Sequence, residues 1–154
     1  MDIDIQIFKK QLSLHEMETV MKGFPEYAVD CPVSHVFSGG VYIRQILIPK
    51  GTLIMGKRHR HETCNILMKG TMSVFVGENE PLNVISGPLI FTSPPLSKKL
   101  AYTHEDCVFI NIHPTNETDV DKIEQEFIIP EEEYLTVQNS IQKTIDQGER
   151  KCLG

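Results

Sequence analysis

The sequence predicts a mainly β protein: a single antiparallel β-barrel or jelly roll over residues 35–113, with helices confined to the two ends. Three observations carry that expectation. Runs such as Val41–Ile48 and Cys107–His113 alternate with a period of two residues, the repeat of a strand with two unlike faces. Gly and Pro punctuate the middle of the chain at short intervals, at Gly39-Gly40, Pro49-Lys50-Gly51, Gly56, Gly70, Gly77, Pro81, Gly87-Pro88 and Pro94-Pro95. Helical periodicity is confined to the segments before and after that body, which argues against a βαβ fold.

A chain of 154 residues is long enough for one domain with a true core. Its 40% hydrophobic and 23% charged content is ordinary for a globular protein. The formal net charge of −6 argues against non-specific nucleic-acid binding, which needs a basic face. No apolar run approaches a transmembrane span, so no membrane partner is expected. MDIDIQIFKKQ lacks the basic start and apolar centre of a signal peptide, and a cytoplasmic location follows as an expectation. Cys31, Cys64, Cys107 and Cys152 are scattered, with no C-x-x-C pair, so free thiols are expected.

Residues 1–34 read as an N-terminal appendage. DIDIQIF alternates and predicts a short strand at a sheet edge or subunit contact. Ser13-Leu14-His15-Glu16 has the form of a capping box, so a helix should start there, run to about Lys22 and stop at Gly23. Leu14, Met17, Val20 and Met21 form its apolar stripe.

Residues 35–113 form the β-rich body. In Val41–Ile48, Tyr42 and Arg44 share a face with Ile46 and Ile48. An Arg there either reaches solvent at an edge or mouth, or binds a ligand. The next informative stretch is KRHRHETCNILMKGTMSVFVG, residues 57–77. If it is extended throughout, His59, His61, Thr63, Asn65 and Leu67 share one face. Two imidazoles at i and i+2 then make a two-point grip for a divalent metal; the alternative is two polar residues at a loop–strand junction. Gly70 breaks the run and starts the return arm of a hairpin. In Cys107–His113, one phase is Cys107, Phe109, Asn111 and His113, whose two polar members suit a partly polar cavity. His113 either caps the strand or serves as a ligand or general base. Lys99 is either a surface lysine or an anion-binding group inside the cavity.

Residues 114–154 read as a helical tail. Asn116 and Thr118 offer N-caps for TDVDKIEQEF. Pro130 starts a second helix, with Glu131, Glu132 and Glu133 favourably placed at its positive end, and Gly148 should end it. Tyr134, Val137, Ile141 and Ile145 form a stripe that must pack on the barrel or a neighbouring subunit, which predicts a homodimer.

Over residues 40–113 this order resembles the cupin family. Gly51, His59, His61 and Gly70 fit its first motif, and Gly87, Pro94 and Pro95 fit its second. The resemblance implies a jelly-roll barrel holding a divalent metal, Zn, Fe, Ni or Mn, at His59 and His61; Asn65, His113 or waters would complete the shell. The family's glutamate position falls on Asn65 or Thr63, and its third histidine on Lys99. The overall pattern also looks like short cupin proteins encoded by bacterial viruses, which implies an accessory protein. Two function classes stay open. One is a small metal-dependent enzyme acting on a small molecule. The other is a non-catalytic cupin that binds a small anion through Tyr42, Arg44, Lys99 and Asn111, or a protein partner.

Overall fold

A computed structural model describes residues 14–76 and 81–152. The DIDIQIF segment and Ser13 lie outside the described residues. Two antiparallel sheets form the body. The first has the order β1 (Val33–Ser38), β2 (Val41–Ile48), β9 (Cys107–Pro114), β4 (Thr63–Lys69) and β7 (Leu89–Ser93). The second has the order β3 (Leu53–Met55), β8 (Leu100–Thr103), β5 (Thr71–Phe75) and β6 (Asn83–Ser86). This is a cupin-type jelly roll, mainly β with short helices at the ends. Among the described residues, no helix is long and apolar enough to cross a membrane.

Strand register decides what faces the interior. Tyr42 stands opposite His113, Arg44 opposite Asn111, Ile46 opposite Phe109 and Ile48 opposite Cys107. Asn65 pairs with Asn111 on one side and Phe91 on the other, while Leu67 pairs with Phe109 and Leu89. Because side chains alternate across a strand, these rows stack along the barrel. The rows near Cys107 are apolar; those near Pro114 are polar. The second sheet supplies Met72, Val74 and Ala101, which pack with Ile46, Ile48, Leu67 and Cys107 as the main core.

The helices close the ends. Helix α1 (Leu14–Lys22) buries Met17 against Phe75 and Leu100. Helix α2 (Val120–Phe127) lays Ile123 and Phe127 on Tyr42, over the polar end of the barrel. Its N-cap is Asp119 and not Asn116 or Thr118. Glu117 Oε1 accepts from the Thr118 and Asp119 amides, so the helix starts later, and Asp119 Oδ1 accepts from the Asp121 amide at 3.0 Å. Helix α3 (Glu131–Cys152) continues past Gly148, where an end was expected. A single interior glycine costs only about 1 kcal/mol and does not force a stop. Val137, Ile141 and Ile145 of its stripe are exposed.

Candidate functional site

A cavity of about 200 Å³ lies inside the barrel. Tyr42, Arg44, Asn65, Asn111 and His113 of the first sheet form its polar wall, and His59 and Lys99 reach it from loops. Ile54, Met72, Val74 and Ala101 of the second sheet face them, Ile46, Ile48 and Phe109 form the floor, and Ile123, Phe127 and Ile128 form the cover. Of the eight residues singled out from the sequence, only His61 is not part of this lining.

The reason is local. Strand β4 starts at Thr63, so the alternation assumed for residues 59–67 does not extend back to the histidines. His59 instead forms a bridge with Ile128, and the Arg60 amide donates to the Phe127 carbonyl at 2.8 Å. The chain bends at residues 60–61 and leaves His61 exposed, with its ring edge-on to Phe127 at 6.1 Å. The neighbour of His59 is His113, with ring centroids 5.2 Å apart; His113 also packs on Phe127 at 4.7 Å and on Tyr42 at 6.0 Å. The Tyr42 hydroxyl is engaged by His35 Nδ1 at 2.6 Å, so Tyr42 offers the cavity its ring.

A buried hydrogen-bonded chain crosses the polar wall. Asn111 Nδ2 donates to Asn65 Oδ1 at 2.7 Å, and Asn65 Nδ2 donates to Ser93 Oγ at 2.7 Å and to the Thr63 carbonyl at 3.1 Å. Lys99 Nζ donates to the same Ser93 Oγ and stands 5.6 Å from the centroid of Phe91. Ser93 was not singled out from the sequence; its only signal there is the Ser-Pro-Pro segment. The Arg44 side chain makes no hydrogen bond or ion pair with any described residue. The one carboxylate in the lining, Glu124, is tied to Lys57 at 2.8 Å on the exposed rim.

Burial lowers Lys99 to about 8. It also lowers His59 to about 4, helped by His113, Lys99, Arg44 and Lys57, and His113 to about 4, helped by Arg44. At neutral pH the site therefore combines two cations that no described carboxylate pairs, Arg44 and Lys99, with two neutral imidazoles. The depressed imidazoles set a pH dependence. Between about pH 6.5 and 4 the unfolded chain binds protons that the folded chain does not, so their contribution is full above pH 6.5 and is lost as pH falls towards 4. The loss for the pair should be on the order of 2 kcal/mol after allowing for partial exposure. Melting curves from pH 7 to 4.5 should show a steeper fall for the native chain than for the His59→Gln/His113→Gln variant; parallel curves would exclude neutral imidazoles here.

The donors do not suit a divalent cation. Among the described residues, no three His, Cys, Asp or Glu side chains converge. Asn65 Oδ1 already accepts from Asn111, and Lys99 brings into the cavity an ammonium that repels a cation. His59 and His113 approach each other, but Arg44 and Lys99 share their cavity.

Beside the cavity, the loops that carry His59 and Lys99 are held by charges that the sequence does not single out. Arg58, 8% exposed, donates to both oxygens of Glu131 at 3.2 Å and to the Leu96 carbonyl at 2.6 Å, and its guanidinium carbon lies 3.6 Å over the Tyr134 ring. Lys98, 5% exposed, binds Glu131 at 3.2 Å and also Glu18. Burial alone would raise the Glu131 carboxyl, but Arg58 and Lys98 outweigh it and hold it below its usual range. The cluster ties α1 and α3 to the two loops that carry His59 and Lys99. The sequence places Glu131, Glu132 and Glu133 alike at the positive end of the helix, and nothing local distinguishes Glu131 from its neighbours.

No family model matches the chain, and no curated protein matches it. Among solved structures it is similar to the ectoine synthase of P. lautus, at 14% identity and a TM-score of 0.51, covering 66% of this chain and 78% of that one. It is also similar to an RmlC-like cupin family protein of Methanocaldococcus jannaschii with a double-stranded β-helix fold, at 19% identity and a TM-score of 0.47, covering 57% and 83%. A cupin-2 domain protein of Shewanella frigidimarina is similar at 12% identity and a TM-score of 0.45, covering 64% and 99%. These likenesses concern the fold.

Proposed function

We propose that this chain, a cupin by fold, uses its barrel as a metal-independent binding site for a small organic anion with a carboxylate head and an apolar body. The observation that carries the reading is Arg44 and Lys99 in one cavity with no carboxylate partner among the described residues, opposite a wall of aliphatic side chains. A guanidinium presents paired N–H donors that match a carboxylate, and a desolvated cavity strengthens that pairing. Ile54, Met72 and Val74 supply apolar contact for the rest of the ligand. At about 200 Å³ the cavity suits a molecule smaller than a drug-sized one.

Calorimetric titration at pH 7 with 4-methylpentanoate, and with the amine of the same skeleton, tests this. The carboxylate should bind and the amine should not. Arg44→Leu should weaken the carboxylate by about tenfold or more, the value of a lost charge-assisted hydrogen bond. Binding of the anion should also draw protons onto His59 and His113, seen as a buffer-dependent heat. Saturable binding of Zn²⁺ or Ni²⁺ that is lost in His59→Ala, with no heat from any carboxylate, would reverse the assignment.

A further inference from the structure

We infer that Lys99 is a nucleophilic amine that condenses reversibly with the carbonyl group of a small oxo acid seated in the barrel; the inference rests on the anion-binding reading and narrows it. The two adjacent lysines make the contrast. Lys98 Nζ is held by two carboxylates, Glu18 and Glu131, outside the cavity lining. Lys99 Nζ enters the cavity and meets a neutral hydroxyl, Ser93 Oγ, and the face of Phe91. No described carboxylate pairs with it. An ammonium without a counter-charge in an apolar enclosure gives up its proton more readily, and the free amine is then the nucleophile. The lowered value of about 8 leaves a usable free-amine fraction near neutral pH.

The rest of the lining supplies what such a step needs. Arg44 is a second fixed cation that can hold the carboxylate while the carbonyl carbon faces Lys99. Asn65 donates to Ser93 and so orients the hydroxyl that positions Lys99. His59 or His113, neutral in the folded protein, can carry the proton between steps. The step balances without a co-reactant. The free amine adds to the carbonyl carbon to give a carbinolamine. That species takes up one proton and loses water, so a C=N bond replaces C=O as a protonated imine. No group is oxidised or reduced.

The test uses the full chain at pH 8 with 4-oxopentanoate or 4-methyl-2-oxopentanoate, followed by cyanoborohydride, which reduces the imine to a stable amine. Intact mass and peptide mapping then locate the adduct. One dominant adduct on Lys99 is expected, formed about tenfold or more faster than on the exposed Lys57, as an activated lysine should be. It should be suppressed by 4-methylpentanoate, which has no carbonyl. Lys99→Arg, checked for an unchanged melting temperature, should abolish that adduct, because a guanidinium forms no imine under these conditions. Adducts spread evenly over surface lysines would overturn the inference. So would binding of 4-methylpentanoate with no adduct on Lys99, which leaves the anion site standing. If neither carboxylate nor oxo acid binds, both readings fall.

Discussion

Glu131→Ala should lower the stability of this protein by about 3 kcal/mol, because it leaves the buried Arg58 guanidinium without a carboxylate and removes one of the two that hold Lys98. Arg58 would keep the Leu96 carbonyl and the Tyr134 ring, and Lys98 would keep Glu18, but neither of these contacts replaces the carboxylate that the two cations share. The neighbouring Glu133 is the control. Its pair with Arg60 at 3.3 Å is half exposed, and its removal should cost no more than about 0.5 kcal/mol. Urea unfolding of the two variants compares them directly. Equal midpoints for Glu131→Ala and Glu133→Ala would show that the cluster beside the cavity contributes nothing beyond a surface ion pair. The loss should also reach the site, since Arg58 and Lys98 each sit one residue from a cavity group, His59 and Lys99.

Gly70→Ala should be comparably severe, at about 3 kcal/mol or more. Strain at a backbone conformation closed to side chains and a contact with no room to relax both contribute. Gly70 turns β4 into β5 with φ of +96°. A Cβ there would lie 2.6 Å from the Asp106 carbonyl oxygen and 3.0 Å from Cys107 Cα, both of them backbone atoms. Gly39→Ala is the matched control, because nothing lies within 4 Å of its Cβ position and its φ is not positive. A denaturation midpoint for Gly70→Ala within error of that for Gly39→Ala would reject the argument. A soluble but expanded Gly70→Ala protein would support it.

Much of the site was legible because strand geometry is a property of the chain itself. Alternation alone put Tyr42, Arg44, Ile46 and Ile48 on one face, and Cys107, Phe109, Asn111 and His113 on another. The structure pairs those two rows across β2 and β9 and turns both inward. Lys99 was harder. A lysine's ordinary place is the surface, and only the count from Pro94 placed it where the family carries a histidine. The H-x-H pair misled for a reason the chain does not display. Period two holds only within a strand, and residues 58–60 pair with residues 127–129 at the end of α2 instead of continuing β4.

The sequence by itself determined the barrel, the faces of its strands and most of the polar residues that line the cavity, since turn chemistry and side-chain alternation act over a few neighbours. Only the tertiary structure decided which charges are paired. Arg58 meets Glu131 across 73 positions of chain, and Lys98 meets Glu18 across 80, whereas Lys99 and Arg44 meet no carboxylate among the described residues. Whether a cation is neutralised depends on what a distant segment brings within about 4 Å of it, and that depends on packing rather than on any local pattern.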